Sequence, residues 1–447
     1  MAKEKQQLTQ KSVEEGDIKS VIITSNKDGF ADITGVVNDI RIFESILDPT
    51  VRATFSFVDT GHGEKKLPIT DYLPIVGTEN VNIKLEDALA QTLDLTLYVN
   101  EVLPKLDDTQ KNATTLKLVS KEFFANENGK TRVVKRFDGK ISDHIDKILT
   151  DPTYINTDKN LDIETTKNRY NCWGRNLKPF AFTTWIQAKG VPNDAPGSAG
   201  FFLWETTEDK GTYKFKSVDA LMDQEAKKSY LYNNIADEDG KNINPHYDAQ
   251  LLEYDGDTNI NVKEKLEIGT YKARTILFDP FNCKYEIVMP TVEEGKKKMD
   301  PKLAAKELPV FNSEIDTIYT RTAYMLVDTG TLPTGDSQQQ IEKSREQNDK
   351  PQDTLSQSKM RYNQMFTIRK SITISGDFSL HAGDAIYIDT PEISEKPVQD
   401  INKQIGGLYI IVDLCHYMTS SPPGCRTRLN IVRDSYGRKG MKKGKKQ

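Results

Sequence analysis

The feature that most limits how this chain can fold is a two-residue alternation of polar and apolar side chains, repeated in short runs. Thr54-Phe55-Ser56-Phe57-Val58, Val81-Asn82-Ile83-Lys84-Leu85, Leu93-Asp94-Leu95-Thr96-Leu97-Tyr98-Val99 and Thr115-Leu116-Lys117-Leu118-Val119 all follow it. Successive side chains of a strand point to opposite faces. Each run therefore predicts a strand with one face on a core and the other toward water or a partner. Turn-forming stretches at 59–63 and 73–77 separate the runs. Short strands at regular spacing favour a barrel or sandwich. Residues 15–125 are assigned to a first β-barrel domain, preceded by a flexible N-terminus at 1–14.

The period then changes. Ile141, Ile145, Ile148 and Leu149 fall at i, i+4, i+7 and i+8, one stripe of an amphipathic helix. A second helix is predicted over 178–186, starting near Pro179. The runs 201–205 and 212–216 bracket Asp209-Lys210-Gly211 and read as a hairpin. Residues 126–225 form an α+β module, its hairpin placed to complete the sheet of the first domain.

Strand patterns return at 259–263, 273–278 and 284–288, and again at 370–375, 385–388, 409–412 and 427–432. They define a second β domain in two parts, 226–329 and 366–436. Between the parts lies a polar insertion, 330–365, rich in Gln, Ser, Asp and Lys. Such a composition buries little and predicts a mobile loop or an exposed helix. The end of the chain, 437–447, is a basic tail whose Lys442, Lys443, Lys445 and Lys446 are candidate partner contacts. The fold class is mainly β with α+β modules.

At 447 residues the chain is too long for one core, and two to four domains are expected. A hydrophobic share of 36% argues against wholesale disorder, and a net charge of −5 gives no basis for sequence-specific nucleic-acid binding. Cys172, Cys283, Cys415 and Cys425 are too scattered for a metal site or a disulfide scaffold, and read as free, mostly buried thiols. The charged N-terminus is unlike a signal peptide, and no window reaches the ~20 apolar residues of a membrane span. Production and assembly in the cytoplasm are expected.

The search for chemistry finds no HExxH, no GxSxG elbow and no phosphate-cradling GxxxxGK[ST] loop. His62 sits between glycines in a turn-like stretch. Cys415 and His416, adjacent on a predicted strand, point to opposite faces, giving a buried Cys and a partly exposed His. Trp173, Trp185 and Trp204 fall in the middle module, where they fill a small core or, as an alternative, stack on glycans. The reading is a non-enzymatic protein without cofactor or metal; a carbohydrate-binding or carbohydrate-cleaving protein is the second hypothesis.

The order of elements resembles the baseplate hub proteins of contractile-tailed phages of the T-even and cyanophage type. The similarity lies in Ile42-Phe43-Glu44-Ser45-Ile46-Leu47-Asp48-Pro49, Ala53–Phe57, 73–79, 137–143, 176–180, 200–206 and 215–219. The stretch Ile374-Ser375-Gly376-Asp377-Phe378-Ser379-Leu380-His381-Ala382-Gly383-Asp384-Ala385-Ile386 is similar to a strand-turn-strand of the wider hub and spike class. Read on its own, Gly376 and Gly383 allow tight turns where a β-carbon would clash, and Asp384 can bond local backbone.

The resemblance implies two tail-tube-like barrels per chain and a homotrimeric ring in the virion baseplate. Such a ring converts the threefold symmetry of a central spike to the sixfold symmetry of the tail tube protein, with DNA only passing through its channel. Tape-measure and baseplate wedge proteins are further implied partners, and no membrane is. A tail tube or tube-terminator role is a third reading.

Overall fold

The computed structural model of the protein describes residues 16–59 (without 28), 75–108, 111–194, 199–232, 247–255, 273–279, 283–288, 321–326, 351–392 and 401–438, with a few single residues between them. Seven strands come first: β1 (Asp17–Thr24), β2 (Phe30–Asp32), β3 (Val37–Ser45), β4 (Arg52–Asp59), β5 (Asn80–Glu86), β6 (Thr92–Asp108) and β7 (Lys111–Val119). They pair antiparallel in the order β3-β4-β7-β6-β5-β1-β2. The alternation sorts their faces as predicted. Ala53, Phe55 and Phe57 of β4 are buried with Val81, Ile83 and Leu85 of β5 and Leu93, Leu95 and Leu97 of β6.

The middle of the chain carries α1 (Lys121–Glu127), β8 (Arg136–Phe137), α2 (Ile141–Thr150), β9 (Asn160–Ile163), β10 (Cys172–Trp173), α3 (Pro179–Gln187), β11 (Phe201–Thr206), β12 (Thr212–Ser217) and α4 (Val218–Met222). Helix α1 runs across the boundary placed at 125/126. Helix α2 buries the stripe Ile141, Ile145, Ile148 and Leu149, and α3 starts on Pro179. The hairpin β11–β12 forms, but it does not complete the first sheet. It pairs with β9, β12 lying parallel to it, in a separate three-stranded sheet. The reason is that β11 is buried on both faces. Phe201 and Leu203 enter the module's own core, while Phe202 and Trp204 enter a separate core shared with α4 and with Ile410, Val412 and Val432 of the second β unit.

That second unit comprises β13 (Lys228–Leu231), β14 (Ala249–Gln250), β15 (Glu253–Asp255), then, after an inserted stretch, β19 (Ile368–Ser375), β20 (Ala385–Asp389), β21 (Gly407–Ser420) and β22 (Pro423–Arg433). The inserted stretch contains β16 (Ala273–Asp279), β17 (Lys284–Val288), β18 (Arg321–Leu326) and α5 (Pro351–Met365). Strands β16–β18 belong to neither large unit: they form their own three-stranded sheet, against the assignment of 226–329 to the second barrel. Of the run 259–263, residues 259–262 fall outside the described residues.

Neither β unit closes into a barrel among the described strands. The free edge of β3 is taken by β21, with Ser45 opposite Asp413 and Asp39 opposite Thr419, so one 14-stranded sheet runs through both units. A strand has only two edges, and once β21 occupies the second, β3 cannot pair back toward β1 and β2.

Two further expectations change. The polar insertion ends in α5, which is docked, not exposed. Ser358, Arg361 and Met365 are buried, Arg361 Nη2 donates to Asp219 Oδ1 at 2.7 Å, and Tyr362 Oη donates to the Phe201 carbonyl at 2.6 Å. Composition missed this because positions 358, 361, 362 and 365 share one helix face whose own polar members, Ser358 and Arg361, are buried, Arg361 against Asp219. The tail also begins later than 437. Arg438 donates twice to the buried carboxylate of Asp389, at 2.9 and 2.8 Å, and Gly437 accepts from the buried Arg433.

Docking of α5 is testable. Met365→Ala is expected to lower unfolding stability by about 2–5 kcal/mol, the range for a buried large-to-small change. Denaturant unfolding measures it; a loss below about 0.5 kcal/mol, typical of a surface position, would mean that the helix is exposed.

Candidate functional site

Two buried carboxylates join the units, Glu44 linking all three and Glu205 linking the first unit to the middle module. Glu44 sits on β3 at the phase of Ile40 and Ile42, where the alternation places core side chains, and is 1% exposed. Its Oε1 accepts from Thr207 N (2.8 Å) and Thr207 Oγ1 (2.5 Å) and lies 3.2 Å from His381 Nδ1. Its Oε2 accepts from Ala382 N at 2.9 Å. One side chain thus joins the first sheet, the end of the β11–β12 hairpin and the segment leading into β20.

Glu205 on β11 makes the second junction. Its Oε2 accepts from Val51 N (2.9 Å) and Ser120 Oγ (2.6 Å), and its Oε1 from Lys159 Nζ. Lys159 also reaches Glu122 Oε2 at 2.7 Å, and Glu122 Oε1 accepts from Thr157 Oγ1. Two carboxylates share one ammonium here. Burial, with the like charge of Glu122 added, shifts Glu205 toward its protonated form against the pull of Lys159.

The predicted turn residues lie beside these junctions. Gly383 has φ +93°, and a β-carbon there would stand 2.5 Å from Trp204 Cζ2, so both the backbone and the close approach require glycine. The indole answers by donating Nε1 to the Ala382 carbonyl at 2.9 Å. Asp384 Oδ2 accepts from His381 N at 2.9 Å and pairs with Lys227 at 2.8 Å. Gly376 lies against Cys425: an added β-carbon would come within 2.2 Å of its Sγ. Gly383 and Asp384 therefore adjoin the Glu44 junction, whereas Gly376 lies beside β22, its N–H donating to the Cys425 carbonyl at 3.0 Å. Lys442, Lys443, Lys445 and Lys446 fall outside the described residues.

Cys415 and His416 face opposite sides, with the burial reversed from expectation. His416 is 2% exposed and Cys415 is half-buried. The inner face of β21 is fixed by Leu414 and Met418, which share the phase of His416. Of the other thiols, Cys172 and Cys425 are buried and Cys283 is exposed. The tryptophans share no platform: Trp204 is in the core shared by the module and the second unit, Trp185 packs on the module core, and Trp173 is 38% exposed. Among the described residues no group of three or more His, Cys, Asp or Glu is set to hold a metal ion, and no helix is long and apolar enough to cross a membrane.

Both oxygens of Glu44 and of Glu205 are engaged by protein donors. The arrangement is suited to holding three units in one orientation. Glu44, His381, Glu205 and Glu122 were not singled out from the sequence as site residues. The signal available was a charge at a core phase, as at Glu44 after Ile40 and Ile42.

Electrostatics give the junction a pH window. Burial alone raises the Glu44 pKa, but His381 and Thr207 outweigh it and bring it to about 2. Burial lowers His381, and its pairing with Glu44 outweighs that and leaves it raised. His416, buried without an acidic contact of its own, falls to about 4. The stability from Glu44 is present above its unfolded value of 4.5 and is lost as pH falls toward 2. For His416, the unfolded chain binds the proton more tightly, so stability falls as pH drops from 6.5 toward 4. For His381 it is lost as pH rises through its raised value. Stability is thus expected to fall from pH 6.5 to 4, and His416→Gln is expected to flatten that slope in chemical unfolding measured across pH. An unchanged slope would overturn this assignment.

No protein-family model matches the sequence, and no curated protein matches it. Solved structures do. A tail protein from Neisseria meningitidis MC58 shares 9% identity, with 93% of this chain and 96% of that chain covered and a TM-score of 0.50. The 43 kDa tail protein of prophage MuSo2 from Shewanella oneidensis shares 8%, with 93% and 98% covered and the same TM-score of 0.50. A component of the type VI secretion system from E. coli aligns at 8% identity over 95% of this chain and 78% of that chain, with a TM-score of 0.41. At such identities the likeness is one of fold: this chain has the mainly β fold of those two tail proteins along nearly its whole length.

Proposed function

We propose that this chain is a structural component of a phage tail baseplate, a hub of which three copies form a ring. The ring adapts a sixfold tail tube to a threefold central spike and encloses part of the channel through which DNA passes. The observation that carries the reading is the shared fold with two tail proteins over 93% of the chain. The junction supports it: two β units joined by one sheet and by the buried Glu44, with Glu205 tying the middle module to the first unit, suit a load-bearing part. Two such units in one chain favour a hub over a single-unit tube subunit. In this reading the tube protein and the spike are direct partners, tape-measure and wedge proteins are further ones, and the protein works in the virion without catalysis.

The test is the native mass of the full chain together with negative-stain images. The expected result is a mass that is a multiple of three chains and a ring with a central opening. A mass not divisible by three, with no ring in the images, overturns the hub. Removing residues 439–447 is expected to leave the mass unchanged, because the last anchoring contact among the described residues is Arg438 on Asp389. Loss of the assembly on that truncation would place the basic lysines in an interface.

A further inference from the structure

The small sheet β17-β16-β18 presents an apolar face that the rest of the described structure does not cover. Its register sets Phe278 opposite Tyr285 and beside Leu326, and Ile276 opposite Ile287 and beside Tyr324. Because residues directly paired across strands lie on the same face, these six side chains form one surface. Tyr285 is 71% exposed, Tyr324 77%, Leu326 61%, Ile287 47% and Phe278 41%. Five of the twelve large hydrophobic side chains exposed among the described residues therefore sit on this one face. The opposite face is packed, with Leu277 buried against Val288 and Met325. Single exposed apolar residues are ordinary, whereas a contiguous patch marks an interaction site.

Area and charge indicate what fits it. A large side chain buries about 150–250 Å² in full, so the exposed fractions here amount to about 600 Å². Specific interfaces take about 800 Å² per partner, and their lower end about 600 Å². The face thus matches one modest partner of similar size. None of the six side chains is charged, and Arg274, next along the face, is turned onto Thr322 Oγ1 at 3.2 Å. Copies of a chain with net charge −5 can meet here without burying a charge. A flat apolar sheet face is best matched by another sheet face packed about 10 Å away. The β16–β18 sheet of a second copy supplies one of the right width and chemistry.

We propose that this face is a homotypic docking surface on which a second copy of the chain packs its own β16–β18 sheet about a twofold axis. Such a contact is isologous: each copy gives and receives the same residues. It is independent of the ring reading, since a threefold ring uses a different symmetry. Two rings joined this way hold six chains, and two free chains hold two.

The experiment is sedimentation velocity of the full chain over a wide concentration range, wild type against Tyr285→Asp/Tyr324→Asp. Both positions are exposed, so folding, checked by thermal unfolding, is expected to be unchanged. Should that variant fold poorly, Ile287→Lys on the same face takes its place. Val76→Asp, on another exposed residue, is the control. Wild type and control are expected to reach an even number of copies. The face variants are expected to halve it, with association weakened about a hundredfold or more, as for loss of two central aromatic anchors. A wild-type chain that stays at one or three copies at the highest concentration overturns the proposal. So does an even assembly that survives the face variants. Evenness tests this face and divisibility by three tests the ring, so the two readings fail separately.

Discussion

A carboxylate removed from water has to be met by donors on every lone pair, or its burial costs more than the fold can supply. Glu44 belongs to the first unit, and its donors come from two other parts of the chain: Thr207 at the end of a hairpin, and the His381–Ala382 segment. The position of each unit is thereby fixed by the need of one side chain. Glu205 repeats the device with Val51, Ser120 and Lys159. Apolar packing alone would tolerate sliding between units. A carboxylate with directional bonds on both oxygens does not.

The sheet does the rest. Once β21 pairs with β3, two β units share one continuous hydrogen-bonded surface, and the first core is finished by Phe378, Met418 and Cys425 from the second unit. Barrel closure is replaced by mutual capping of edges, another way to hide a strand's unpaired backbone. Trp204 extends the same logic to the middle module: from β11 it enters the core shared with α4, α5 and β20–β22, and it packs where only glycine at 383 leaves space. The three units are thus joined by a shared sheet, a shared core and buried polar contacts.

Much of the fold was legible in advance. Strands β4, β5, β6, β7, β19 and β22 follow the two-residue alternation, and α2 follows its stripe, because each has one face on a core and one toward water. The readings that failed share a cause. β11 is buried on both faces, so its pattern could not say which sheet it joins. Helix α5 is polar in composition yet buries one narrow face. His416 and Cys415 are adjacent, and which of them turns inward depends on the phase of β21 against β22 and β3, set by pairings that span much of the chain.

The sequence by itself determined the class of local structure: where strands alternate, where a helical stripe begins, and where glycines permit turns. These depend on neighbours a few residues away, and the chain carries that information directly. Only the tertiary structure decided that the two β units share a sheet, that β16–β18 stand apart with an apolar face outward, and that Glu44, Thr207 and His381 meet. Each of these is a contact between residues more than a hundred positions apart or between strands with several equally suitable partners. Periodicity tells a strand which face is buried, but it does not say against what.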